Sequence, residues 1–125
     1  MPDRPLPESY LSFLSWSNGG EFRQGQRWMQ FFPLFDERHG VRAIMLAYEL
    51  PQCMPGALPF AANGGGTFYL FDMRQPSKED EYNVVCSHAG NFGWGSDECL
   101  QIADSFAAAC LGKSDVDELK WQAQR

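Results

Sequence analysis

The stretch TFYLFDM at residues 67–73 decides the fold, because its side chains are apolar at nearly every position. A strand that is apolar on both faces is normally covered on both sides, which predicts a place near the centre of a sheet. A glycine turn at 64–66 precedes the stretch, and the polar loop RQPSKEDE at 74–81 follows it. The next predicted strand, at 82–89, is expected to run antiparallel to the first.

The N-terminal half predicts helix, strand, strand and helix. After a loose terminus at 1–6, a helix should begin near Pro7, and the sequence Asn18-Gly19-Gly20 should end it. The apolar side chains of this helix recur three and four residues apart: Tyr10, Leu11, Phe13, Leu14 and Trp16.

A short strand is then expected at 21–23, and the aromatic content of 28–34 predicts a second strand there. Asp36 is expected to cap a second helix at about 37–49, in which one face carries Val41, Ile44, Met45 and Tyr48. The prolines that follow, Pro51, Pro55 and Pro59, predict an irregular segment before the glycine turn.

Two structures remain open for residues 97–111. One amphipathic helix fits the spacing of the apolar residues, and a strand at 99–103 with Ser105 capping a shorter helix fits equally well. Gly112 ends the element in either case, and a terminal helix is predicted at 115–124. The whole pattern predicts one α+β domain over 1–125, with a central, mainly antiparallel sheet and helices packed on it.

Composition excludes several classes of function. The 125 residues carry 16 Asp and Glu against 10 Lys and Arg, a net charge of −6, and no basic cluster, so direct nucleic-acid binding is not expected. The acidic charge suits a basic partner, although solubility alone also explains it. The sequence has no membrane-length apolar run and no apolar N-terminal leader. Together with four cysteines that are expected to be reduced core residues, this predicts the cytoplasm.

Candidate reactive groups have plainer structural interpretations. The glycines at 64–66 lack the Lys of a phosphate-binding loop, so they predict a turn. Asp72 is expected to pair with Arg74, which lies two residues on and on the same side of a strand. His39 and His88 are the only histidines, and neither sits in a nucleophile or zinc motif. No cofactor, metal or enzymatic activity is expected.

Trp94 is the most unusual residue, because it lies between Gly93 and Gly95 and close behind Phe92. Its ring either folds back on the sheet or serves as an anchor for a partner, since Trp is enriched at binding hot spots. Two acidic clusters occur, at 79–81 and at 97–98. They either lie in solvated loops or complement the charge of a basic partner. The candidate partner-binding residues are Phe92, Trp94, Asp97, Glu98, Glu79, Asp80 and Glu81.

Three segments, in this order, resemble the SUKH superfamily of Smi/Knr type. The stretch LPESYLSFLSWSNGGEF at 6–22 resembles its opening motif, and LPFAANGGGTFYLFDMR at 58–74 resembles its central strand–turn–strand motif. The stretch IADSFAAAC at 102–110 resembles the closing segment of the family. The chain departs from the family pattern at Asn63, where Asp is common, and in the small residues that end the last segment.

The resemblance implies an α+β fold and the strand alternative for 99–103. The superfamily is described as bacterial immunity proteins that neutralise toxins, many of them nucleases, together with a fungal regulator of cell-wall assembly. It therefore implies a cytoplasmic immunity protein that binds a basic toxin domain. A regulatory scaffold with a cellular partner is the alternative, and an enzyme that uses Asp72 and a histidine is a third interpretation.

Overall fold

A computed structural model describes residues 4–16, 20–24, 27–34, 36, 38, 40–96 and 99–112. Within them the helices are α1 Glu8–Trp16, α2 Val41–Ala47, α3 Leu50–Cys53 and α4 Phe106–Leu111. The strands are β1 Gly20–Gln24, β2 Arg27–Phe31, β3 Ala57–Ala62, β4 Thr67–Asp72, β5 Val84–His88 and β6 Leu100–Ala103. A short 3-10 turn, Ala89–Asn91, follows β5.

The six strands form one sheet in the order β1-β2-β3-β4-β5-β6, and every neighbouring pair is antiparallel. Each strand therefore pairs with the strand that precedes or follows it in sequence. With helices packed on the sheet, this is the α+β architecture that the sequence predicts.

β4 is the covered strand that TFYLFDM predicts. Residues 67–71 are buried, and alternate side chains reach opposite faces of the sheet. On one face Phe71 contacts Tyr10 of α1, with ring centroids 5.2 Å apart. On the other face Phe68 contacts Tyr48, which follows α2, at 4.9 Å. Helices on both faces explain why the strand carries no polar face.

An aromatic cluster holds α1 and α4 against the first face. Phe60 of β3 stacks on Phe71 at 4.5 Å between centroids, and Phe106 at the start of α4 lies 5.4 Å from Tyr10. Phe31 of β2 joins the cluster through Phe60 and Phe106. Burial of such rings contributes several kcal/mol in total, on the order of 1.5–3 kcal/mol for each side chain.

The region from 36 to 62 differs from the sequence prediction. The second helix begins at Val41 with Gly40 as its N-cap, so the prediction that Asp36 caps it is wrong. The Asp36 carboxylate instead accepts from the backbone N–H of Arg38. The proline segment is not irregular throughout, because it contains α3 and β3.

The prolines are compatible with these elements for local reasons. Pro51 lies in the first turn of α3, where a missing N–H costs nothing. Pro59 lies where the β3–β4 register shifts, an irregularity at which a strand tolerates proline. Composition alone predicts a break in both places, whereas the geometry accommodates each proline inside an element.

The C-terminal part resolves the alternative left open for 97–111. The strand version is confirmed: β6 pairs with β5, and the Ser105 hydroxyl accepts from the N–H of Ala108 to cap α4. The helix predicted at 115–124 lies outside the described residues. At the other end the sequence predicts a loose segment, yet the Arg4 side chain donates to the Met73 carbonyl at 3.0 Å and Tyr82 donates to the Pro5 carbonyl at 2.7 Å.

All four cysteines lie among the described residues and none forms a disulfide, but they differ in burial. Cys86 is buried, as predicted, and Cys99 and Cys110 are half-buried, whereas the prediction of a core position is wrong for the exposed Cys53. Burial raises the pKa of Cys110 to about 11, so its thiol stays protonated at neutral pH.

Candidate functional site

The ends of β4, β5 and β6 bring polar side chains together at one end of the sheet. The last rung of the three strands joins Phe71, Val84 and Ala103. The next position on each strand is polar, and the Asn83 carbonyl accepts from the N–H of Asp72 at 2.8 Å. The register therefore places three residues side by side: Asp72, Asn83 and Asp104.

Asp72 forms a bidentate ion pair with Arg74, as the sequence predicts. Nε and Nη2 of Arg74 each donate to a different carboxylate oxygen at 2.9 Å. Burial acts to raise the pKa of Asp72, but the hydrogen bonds and the positive charge of Arg74 outweigh it, so the pKa lies below its usual value. Asp72 is therefore a paired anion and not a proton donor at neutral pH.

Trp94 lies over this ion pair. The Arg74 guanidinium carbon is 3.8 Å from the centroid of the indole, and the indole N–H donates to the Pro55 carbonyl at 2.9 Å. A cation over an aromatic face is attracted by the ring quadrupole. The ring is thus folded back onto the protein. Its role in binding a partner remains a prediction.

The acidic loop contains a tight two-residue turn. Lys78 and Glu81 exchange both backbone hydrogen bonds, at 2.9 and 3.0 Å. The residues between them, Glu79 and Asp80, have φ values of 53° and 64°. Such turns favour Asn and Gly because both central residues are left-handed, so this sequence holds two carboxylates in an unfavourable backbone conformation.

Two of the three carboxylates in this turn have intramolecular partners. Asp80 accepts from the N–H of Glu8 at the start of α1, at 3.1 Å. Glu81 uses both oxygens: one accepts from the Ser9 hydroxyl at 2.7 Å and the other from the N–H of Phe106 at 3.1 Å. These two residues therefore connect the turn to α1 and α4.

A cleft of about 820 Å³ lies between this loop and the end of β6. Its size falls within the roughly 300–1,000 Å³ of clefts that hold ligands. Eight of its eleven described lining residues have a charged or amide side chain, and the full set is Asp72, Arg74, Gln75, Pro76, Lys78, Glu79, Glu81, Tyr82, Asn83, Asp104 and Ser105. We call this the polar cleft.

The predicted site residues are thus only partly brought together. Glu79 and Glu81 line the polar cleft, and Trp94 contacts Arg74 on its wall. Phe92 lies elsewhere, packed on Phe68 at 5.4 Å. Asp97 and Glu98 lie outside the described residues.

Asp72 and His88 are too far apart to form the reactive pair that an enzyme would need. His88 lies opposite Thr67, at the other end of β4 from Asp72, about 16 Å away for five residues of strand. Its Nδ1 accepts from the N–H of Gly90, which caps the 3-10 turn. His39 lies outside the described residues. Among the described residues no group of three or more His, Cys, Asp or Glu side chains is placed to hold a metal.

Sequence reasoning missed Asn83 and Asp104, the amide and the carboxylate on the β5 and β6 side of the polar cleft. Both look like ordinary loop residues along the chain. The signal that finds them is the register of β4, β5 and β6, which requires the exact ends of strands that sequence patterns place only approximately.

Comparison with known proteins gives one family. The model of the SMI1 / KNR4 family (SUKH-1) matches residues 3–109, which include α1, all six strands and most of α4. No curated protein matches the chain. In the part of the chain that the structure describes, no helix is long and apolar enough to cross a membrane.

Proposed function

Because the chain belongs to the SMI1/KNR4 family (SUKH-1), we propose that it is a protein-binding module that neutralises a basic protein toxin in the cytoplasm. The module would inhibit the toxin by binding to it, without a chemical reaction. The activity would therefore lie in the surface of the module.

The polar cleft carries the proposal. Asp72 is paired with Arg74 and both oxygens of Glu81 are engaged, but within the described residues Glu79 and Asp104 have no partner. Desolvating an unpaired carboxylate is costly unless a cation replaces its water. A basic partner provides such a cation, and the net charge of −6 would speed its approach.

The neighbouring features fit binding better than catalysis. The pKa of Asp72 is lowered, whereas a general acid needs a raised pKa and a second converging group. His88 lies at the wrong end of β4 to supply that group. Trp94 adds aromatic surface next to the charges, and Trp is enriched at binding hot spots.

Co-expression tests the proposal. Where a toxin gene lies beside the gene for this chain, its product is expressed in cells that also carry the chain, either as wild type or as a Trp94→Ala, Asp97→Ala, Glu98→Ala triple variant. Wild type should restore growth and the triple variant should restore it less. Growth arrest despite well-expressed wild type would contradict toxin neutralisation.

The same experiment has a control for the site. Glu21→Gln removes an exposed carboxylate from β1, at the opposite edge of the sheet, and should protect as well as wild type. Equal protection by the triple variant would remove the surface around Trp94 from the proposal and leave toxin binding intact. Capture of a cellular protein in place of the toxin would favour the regulatory scaffold.

A further inference from the structure

We propose that the polar cleft binds an extended segment of the partner and that Glu79 and Asp104 together hold one basic side chain of it. This inference rests on the proposed function, since it names how a protein partner is recognised. It adds Asp104, Asn83 and Gln75 as binding residues and assigns Asp80 and Glu81 to the scaffold.

The charges inside the cleft determine the sign of the ligand. Its described lining residues include four carboxylates and two cations. Asp72 and Arg74 neutralise each other at 2.9 Å, and Glu81 is occupied by Ser9 and the N–H of Phe106. Of these described groups, two carboxylates and the ammonium of Lys78 remain, a balance that favours a cation.

The uncharged wall suits a peptide main chain. Gln75 and Asn83 form no side-chain hydrogen bond within the described residues, so each offers a donor and an acceptor. Asn83 lies between Asp72 and Asp104 in the strand register, next to the carboxylate that would hold the side chain. Peptide N–H and C=O groups are the partners that such amides satisfy.

The scaffold holds the two carboxylates in different ways. Glu79 projects from the left-handed turn, whose ends are fixed by the paired backbone of Lys78 and Glu81. Asp104 follows β6 directly and precedes the capped start of α4. Since neither carboxylate is needed to hold these elements, both are available to a ligand.

Peptide titration followed by NMR tests the inference without the toxin. The probe is acetyl-Gly-Arg-Gly-amide, and its control replaces arginine with citrulline, which has nearly the same shape but no charge. The arginine peptide should shift the backbone amides of 74–83 and 104–105, and the citrulline peptide should not. Equal shifts with both peptides, or none with arginine, would overturn the inference.

Matched variants separate local binding from overall charge. Glu79→Gln with Asp104→Asn should weaken the arginine peptide about tenfold, because a charge-assisted hydrogen bond contributes roughly that factor in a half-open site. A double control, Glu21→Gln with Glu49→Gln, removes the same number of charges from exposed carboxylates that do not line the cleft. Equal weakening by the control would overturn the assignment of the cleft, provided that thermal unfolding shows all variants folded.

The two proposals fail in different ways. Toxin neutralisation without binding of the arginine peptide would remove the cleft inference alone. Peptide binding without neutralisation would remove the proposed function alone.

Discussion

At the residue scale, three consecutive acidic side chains have different roles. Asp80 and Glu81 bind backbone and hydroxyl donors of α1 and α4, whereas Glu79 faces the polar cleft and has no partner in the described part of the chain. Sequence composition assigns all three the same role, because a run of charges carries no information on which oxygens are already engaged.

This difference predicts effects of different size for two substitutions in the turn. Glu81→Gln replaces one acceptor oxygen with an NH₂ group and should lower the free energy of unfolding by about 1–2 kcal/mol. Glu79→Gln should change it by less than about 0.5 kcal/mol. Urea unfolding at neutral pH measures both, and a larger loss for Glu79→Gln than for Glu81→Gln would contradict the assignment.

The buried hydroxyl of Tyr10 lowers the stability of the core. Its ring is fully buried against Phe71 and Phe106, yet its hydroxyl finds no partner among the described residues. Tyr10→Phe keeps the ring contacts and removes the buried hydroxyl, so it should raise the free energy of unfolding by about 1 kcal/mol. Lower stability in urea or heat would show that the hydroxyl is satisfied.

The same residue gives a pH dependence. Burial raises the pKa of Tyr10 far above its usual value of about 10. Above about pH 10 the unfolded chain releases this proton while the folded chain keeps it, so stability that is present below pH 10 is lost as the pH rises. Tyr10→Phe should make the loss between about pH 9 and 11 smaller, and identical slopes for both proteins would contradict the argument.

At the scale of elements, the glycine turn between β3 and β4 shows what a sequence can specify. Asn63 accepts from the N–H groups of Gly65 and Thr67, at 2.8 and 3.1 Å, and Gly64 and Gly66 adopt positive φ. The amino-acid types alone predict this turn, because few other residues adopt that backbone.

A substitution in the turn tests this reasoning. Gly64 has a φ of 80°, and an added Cβ would overlap the Trp28 ring. Gly64→Ala should therefore cost about 2–3 kcal/mol, from backbone strain and a steric clash. Gly95→Ala is the matched control, because its Cβ meets nothing within 4 Å and its φ is not positive. Thermal unfolding compares the two, and equal melting temperatures would contradict the account.

The sequence predicts the other elements to different degrees. β4 is predictable because burial on both faces leaves a continuous apolar run, whereas β6 is ambiguous because its few residues fit two periods. Composition alone misses β3, because Pro59 signals a break but occupies a register shift in the sheet, whereas the resemblance of 58–74 to a strand–turn–strand motif indicates it. The polar cleft was hidden for a related reason, since it is assembled by register between strands and not by neighbours in sequence.

At the scale of the whole molecule, the net charge of −6 acts over a longer range than any contact. If a basic partner is steered by this field, its association rate should fall about tenfold as salt rises from ~10 to ~500 mM, while dissociation changes little. Stopped-flow fluorescence measures both rates. An association rate that does not vary with salt would show that charge serves solubility alone.

The central claim is that the partner binds at the polar cleft, and hydrogen exchange of the complex tests it most directly. The chain is compared free and saturated with the protein encoded beside its gene. The account predicts slower exchange in residues 74–83 and 104–105 of the bound chain, with β1 unchanged. Protection confined to β1 and β2, with unaltered exchange around the cleft, would contradict it.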